Sequence, residues 1–165
     1  MKLKGFIIMG LMFLLTACAS PISKEGLKRV NPEITFQDLI QDPDKYRGKV
    51  ILVGGQILTT IVRGGESSVE VLQQPLDWRQ RPRDTDVSYG RFLIHFEEFL
   101  DPAIYAKGRR ITVLGEVAGK RVLPLKEMEY SYPVLLPREH YLWRPEDSYG
   151  GPSFHIGIGV GGTIR

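Results

Sequence analysis

The spacing of hydrophobic positions changes along the chain, and each spacing predicts a different kind of element. From Phe6 to Leu15 the residues are apolar and uncharged apart from Gly10; Lys2 and Lys4 precede them, and the small residues Thr16 and Ala17 follow. A basic start, a short apolar run and small residues at its end are the layout of a secretory signal peptide. The run falls short of the roughly 20 residues that span a bilayer. Further on, Phe36, Leu39 and Ile40 share a helical face behind Thr35, with Asp38 at the capping-box position and Pro43 as the stop. Val50 to Val62 is the strongest strand signal, rich in β-branched residues, with a bulge or bend expected at Gly54-Gly55 and a turn at Gly64-Gly65.

Alternation then predicts faces. Val69 and Val71 point one way and Ser68, Glu70 and Leu72 the other; in Gly90 to Glu97, Phe92, Ile94 and Phe96 oppose Leu93 and His95. Gln73 to Ser88 reads as a long polar connection, and Asp101 to Tyr105 as one helical turn capped by Asp101. Arg110 to Val117 is a fourth strand, Ala118-Gly119-Lys120 a turn into Arg121 to Leu125, and Tyr130 to Leu136 an extended piece bounded by Pro133 and Pro137. The fold class is therefore mainly β: a small OB-like antiparallel barrel of five or six strands with one or two short helices. A closed barrel hides strand edges. A small antiparallel sandwich is the second choice.

Composition narrows the setting. Of 22 basic residues against 19 acidic, Lys2 and Lys4 lie in the signal segment, so the remaining chain carries a net charge of only +1. Overall charge thus gives no support to non-specific nucleic-acid binding. The single cysteine, Cys18, closes the run Leu15-Thr16-Ala17-Cys18. That run resembles the bacterial lipobox, which implies cleavage before Cys18, a diacylglycerol thioether on its sulfur and a third acyl chain on the new amino group. Three chains anchor firmly, since two signals already suffice. Ala19 and Ser20 follow Cys18, with no aspartate next to it, and by analogy with Gram-negative sorting this favours the outer membrane. The expected organisation is a signal peptide over residues 1–17, a lipidated tether over 18–34, an OB-like domain over 35–145 and a Gly-rich tail over 146–165.

No catalytic constellation stands out. His95, His140 and His155 lack metal-ligand spacing with one another or with Cys18, and read as solvated or structurally satisfied. There is no Gly-x-Ser-x-Gly elbow and no phosphate loop. Glu97 and Glu98 are adjacent, so on a strand they would face opposite ways. Neither enzyme activity, metal nor cofactor is expected. The most unusual segment runs from Gln73 to Arg83, where Trp78 neighbours Arg79, Arg81 and Arg83. An indole beside guanidiniums suits a carboxylate, a phosphate or a sugar ring. The plainer alternative is a mobile loop whose arginines are solvated or drawn to anionic lipid or lipopolysaccharide. Tyr130, Tyr132, Tyr141 and Trp143 read as core and rim packing. In the tail, Gly157, Gly159 and Gly161 alternate with Ile156, Ile158 and Val160. That piece is either a flexible terminus or a strand able to dock into a larger envelope assembly.

The lipobox, Gln73-Gln74-Pro75-Leu76-Asp77, Gly90-Arg91-Phe92, Phe99-Leu100-Asp101-Pro102 with Tyr105, Gly108 to Gly115, Tyr132-Pro133-Val134 and Leu142-Trp143 together resemble the Slp outer-membrane lipoproteins. The resemblance covers most of residues 15–143. It implies an outer-membrane lipoprotein linked to starvation and stationary phase and without assigned enzymatic activity; the expected location is the outer membrane, lipid-anchored, on its periplasmic face. The expected partners are the membrane, through the N-terminal lipid, and an anionic envelope ligand (lipopolysaccharide or glycan) or an envelope protein.

Overall fold

Capping and periodicity act at the start of the domain as expected. In the computed structural model, which describes residues 20–145, α1 spans Lys24–Leu27 and α2 spans Phe36–Gln41. Thr35 caps α2 in a complete capping box: its hydroxyl accepts from the Asp38 N–H, and the Asp38 carboxylate accepts from the Thr35 N–H. The Thr35 hydroxyl also donates to that carboxylate, and this bond first, then the N–H, favours the charged form and holds the Asp38 pKa below its ordinary value. Asp42 ends the helix, and Pro43–Tyr46 forms a short 3-10 turn.

Five strands follow: β1 (Val50–Arg63), β2 (Glu66–Gln73), β3 (Arg91–Phe96), β4 (Arg110–Leu125) and β5 (Met128–Leu142). They close into a barrel in the order β1-β2-β3-β5-β4, with every pairing antiparallel except β3–β5. This is an OB-like barrel. The alternating faces meet inside it: Ile57, Val69, Val71, Phe92, Ile94, Ile111 and Val113 are all fully buried in one cluster. Phe36 of α2 packs edge-on against Phe92 near the start of β3, while Leu100 and Tyr105, beyond its end, join the same cluster.

Several local expectations give way to tertiary geometry. No register shift occurs at Gly54-Gly55; the irregularity lies between Ile57 and Thr59. The two glycines mark the crossing at which β1 passes from pairing with β4 to pairing with β2. A Cβ on Gly55 would lie 1.9 Å from the Leu72 carbonyl oxygen, and one on Gly54 would lie 2.7 Å from that of Ile111. Residues 118–120 do not turn the chain. β4 runs through them with a bulge between Val117 and Gly119, and the real reversal is at Lys126-Glu127, where Lys126 adopts φ +57°. Gly119 itself has φ +114°, and a Cβ there would strike the Arg47 guanidinium. Nor do Pro133 and Pro137 bound a strand: both lie within β5, near the two register shifts of its pairing with β4. Bulges are where a sheet tolerates a residue with no N–H to donate. Asp101 to Tyr105 forms a single turn, closed by N–H groups of Ile104 and Tyr105 on the Asp101 carbonyl.

The residues read as a tether are, from Ile22 onward, docked on the barrel. Ile22 is fully buried. The Ser23 N–H and hydroxyl both donate to the Glu139 carboxylate of β5, at 2.8 and 2.7 Å. Those two bonds hold the Glu139 pKa below its ordinary value, the backbone donor contributing most. Cys18, His155 and the Gly-rich tail lie outside the described residues.

Candidate functional site

Two regions carry chemistry on the outside of this barrel. The first is built by the outward faces that alternation predicts. Register sets Ser68 of β2 opposite His95 of β3, and Glu70 opposite Leu93. These four form the floor of a groove of about 430 Å³. One wall is the β1–β2 hairpin, with Ile61, Arg63 and Glu66; the other is the β4–β5 hairpin, with Arg121, Leu123 and Pro124. Gly64 and Gly65 turn the first hairpin at φ +61° and +90°, a left-handed conformation that glycine adopts without strain.

Polar contacts organise the floor. Glu70 accepts from the Arg91 guanidinium at 2.8 Å and from the Tyr132 hydroxyl at 3.1 Å. Burial, then the adjacent Glu70 charge, raises the Tyr132 pKa, so the phenol stays a donor. The hydrogen bond that Arg91 donates to Glu70 likewise holds the guanidinium in its charged form. Tyr130 stacks edge-on against Tyr132, and the pair covers Leu93, which explains why an outward-facing leucine is only 5% exposed. The Ser68 hydroxyl is buried with no hydrogen-bond partner among the described residues. His95 lies 3.6 Å from Glu66, whereas Arg63 and Arg121 are exposed and make no ion pair among the described residues. The groove therefore offers two uncommitted guanidiniums above a floor that mixes hydroxyl, imidazole and apolar surface.

The second region is the segment singled out by its tryptophan and arginines. It is not a loose loop. Leu76 bridges Pro82, the Asp77 N–H donates to the Arg81 carbonyl, and the Asp77 carboxylate accepts from the N–H groups of Arg79 and Arg81. Gln80, at φ +64°, fastens it to the barrel: its carbonyl accepts from the Thr112 hydroxyl of β4 at 2.6 Å, and its side-chain oxygen from the Ile22 N–H. The Thr112 oxygen in turn accepts from the indole N–H of the buried Trp143 at 2.9 Å. On this platform Trp78 is 82% exposed, with the Arg79 guanidinium 4.3 Å from its ring centre. Arg81 leans toward the Trp143 ring, and Arg83 is exposed. None of these side chains lines the groove, so the structure keeps the two regions apart.

His140 is satisfied as part of the fold. Its Nε2 lies 2.8 Å from the Tyr105 hydroxyl, and its ring packs edge-on against Phe96. Burial pushes its pKa below the ordinary value, with Glu98 opposing. Among the described residues, no three His, Cys, Asp or Glu side chains gather as a metal cage.

A family model for the outer membrane lipoprotein Slp family matches residues 15–157. The chain belongs to that family. It is 30% identical to the outer membrane protein Slp of Escherichia coli over 131 residues, covering 78% of this chain and 69% of that protein. An uncharacterized protein of Haemophilus influenzae is 29% identical over 145 residues, covering 87% of this chain and 78% of its own length. The uncharacterized lipoprotein YeaY of Escherichia coli is 25% identical over 144 residues, 86% of this chain and 72% of that protein. No solved structure matches the chain. Family membership supports an envelope lipoprotein of the outer membrane. It assigns no role to the groove. Alternation alone placed Ser68, Glu70, Leu93 and His95 on outward faces, but bringing Arg63 and Arg121 to the same cleft needed the register of both hairpins.

Proposed function

We propose that the chain is anchored in the outer membrane by lipid on Cys18, with its barrel on the periplasmic face. The barrel serves there as a non-enzymatic module that binds an acidic glycan chain in the groove between the two hairpins. One coincidence carries this reading. The outer face of strands two and three, flanked by the first and last hairpins, is where OB barrels take oligosaccharides and oligonucleotides, and here that face is the groove. The near-neutral mature chain does not favour nucleic acid. Arg63 and Arg121 supply forked donors that match carboxylate or phosphate groups. Ile61, Leu123 and Leu93 offer apolar surface to sugar-ring faces, and the unpartnered Ser68 hydroxyl offers a polar contact at the floor.

The test is an NMR titration of the soluble Cys18→Ser protein with lipopolysaccharide core oligosaccharide, which is anionic. Amide shifts should cluster on residues 61–70, 93–95 and 121–124. Removing Arg63 or Arg121 should weaken binding roughly tenfold each, the worth of one charge-assisted hydrogen bond. Saturable binding with no shifts on those strands, or binding indifferent to both arginines, would remove the groove from the proposal.

A further inference from the structure

The segment Trp78–Arg83 and the point where the N-terminal chain leaves the barrel are the same place. The Ile22 N–H donates to the Gln80 side chain, and Ile22 is fully buried beside it. Ser23 is fixed to Glu139 by two hydrogen bonds, so the exit point is set by the fold. Only three residues separate Ile22 from Cys18, and a fully extended chain reaches at most roughly 14 Å over that interval. Whatever surface holds the Cys18 sulfur must therefore lie close to Gln80 and its neighbours.

What those neighbours present suits a bilayer interface. Trp78 is held out on a tied-down turn, far more exposed than the chain's other tryptophan, Trp143 (82% against 8%). An indole, apolar in body with one donor, favours the headgroup boundary. Arg79 stacks on it, and Arg83 is exposed close by. Of the nearby acids, Asp84 pairs with Arg110 at 2.6 Å, so Asp77 and Asp86 stand against Arg79, Arg81 and Arg83 and the turn keeps a net positive charge.

We infer that the Trp78–Arg83 turn is the membrane-facing surface of the barrel. It rests on the anionic leaflet that carries the acyl chains of Cys18, with Trp78 in the headgroup layer and Arg79 and Arg83 on lipid phosphates. This inference rests on the Cys18 anchor proposed above. In it the anchor and the turn act as two attachments: the acyl chains keep the protein on the membrane, and the turn sets which way the barrel faces. The groove, built on the β2–β3 face and the hairpin ends, is then left open to the periplasm.

The experiment uses the full-length lipidated protein, reconstituted in vesicles of phosphatidylethanolamine and phosphatidylglycerol doped with a nitroxide-headgroup lipid. Wild-type tryptophan emission should be quenched. Trp78→Phe should show little quenching, because Trp143 stays shielded. Charge reversal at both Arg79 and Arg83 should release Trp78 from the quencher while flotation still finds the protein on the vesicles. In the unlipidated Cys18→Ser protein, each arginine removed should lower vesicle partitioning about fivefold. Vesicle-bound wild type whose emission is quenched no more than that of Trp78→Phe would overturn the inference, because the turn would then face water. Wild-type protein that carries no lipid and fails to float would instead overturn the anchor on which the inference rests. Equal quenching in vesicles lacking phosphatidylglycerol would overturn the role of the arginines.

Discussion

Replacing Thr112 by valine tests whether the Trp78 turn is held as the structure shows. The two side chains have nearly the same shape, so the substitution exchanges one hydroxyl for a methyl at a fully buried position. That hydroxyl donates to the Gln80 carbonyl at 2.6 Å and accepts from the Trp143 indole at 2.9 Å. Trp143 cannot swing away to find another acceptor. Its backbone N–H donates to the Arg110 carbonyl, and its own carbonyl accepts from the Arg109 guanidinium at 3.0 and 2.7 Å. The indole N–H is therefore left buried and unpaired, at a cost of about 1–3 kcal/mol. The half-buried Gln80 carbonyl loses a bond worth about 1 kcal/mol, and burying the new methyl returns about 0.8 kcal/mol. The net loss is about 2 kcal/mol, which for a domain of this size lowers the melting temperature by about 4–8 °C. Thermal melts followed by circular dichroism on the soluble Cys18→Ser protein measure it. Trp143→Phe removes the orphaned donor, so in that background Thr112→Val should cost only a few tenths of a kcal/mol, the difference between about 1 kcal/mol for the lost Gln80 bond and about 0.8 kcal/mol returned by the methyl. A valine variant that melts with the parent, or one whose cost is unchanged beside Trp143→Phe, would refute the hydrogen-bonded chain that fixes the turn.

Two further outcomes follow from the same geometry. Gly55→Ala drives a Cβ into the Leu72 backbone and should cost about 3 kcal/mol, because only strand separation relieves it. Gly48→Ala has open space and pays only for φ +76°, about 1 kcal/mol; urea melts showing equal costs would mean β1 and β2 do not cross so closely. Burial holds the His140 pKa below its unfolded value of about 6.5, so between those two values the unfolded chain binds more protons. Stability is then full above pH 6.5 and falls as the pH drops through that window. The difference in melting temperature between wild type and His140→Gln should shrink over the same interval, and a pH-independent difference would contradict a buried neutral imidazole.

Along the chain, what was legible is what depends on near neighbours. The capping box at Thr35 and Asp38 spans three residues, and the Gly64-Gly65 turn two. The faces of β2 and β3 repeat with a period set by the pleat of the strand itself. These sufficed for the fold class, because a mainly β chain of short alternating strands has few ways to hide its edges.

What only the tertiary structure decided involves partners far apart in sequence. Gly119 reads locally as a turn, yet β5 pairs alongside it and the Arg47 side chain fills the space a Cβ would take, so β4 bulges and continues. Pro133 and Pro137 read as strand ends, yet the partner strand shifts register beside each and leaves room for a residue without an N–H. Gln73 to Ser88 reads as a polar connection, while Thr112, Trp143 and Ile22 convert its centre into a fixed turn. The groove has the same origin. Arg63, Ser68, His95 and Arg121 are spread over nearly sixty residues, and only closing the barrel, which sets every strand's register at once, brings them to one cleft.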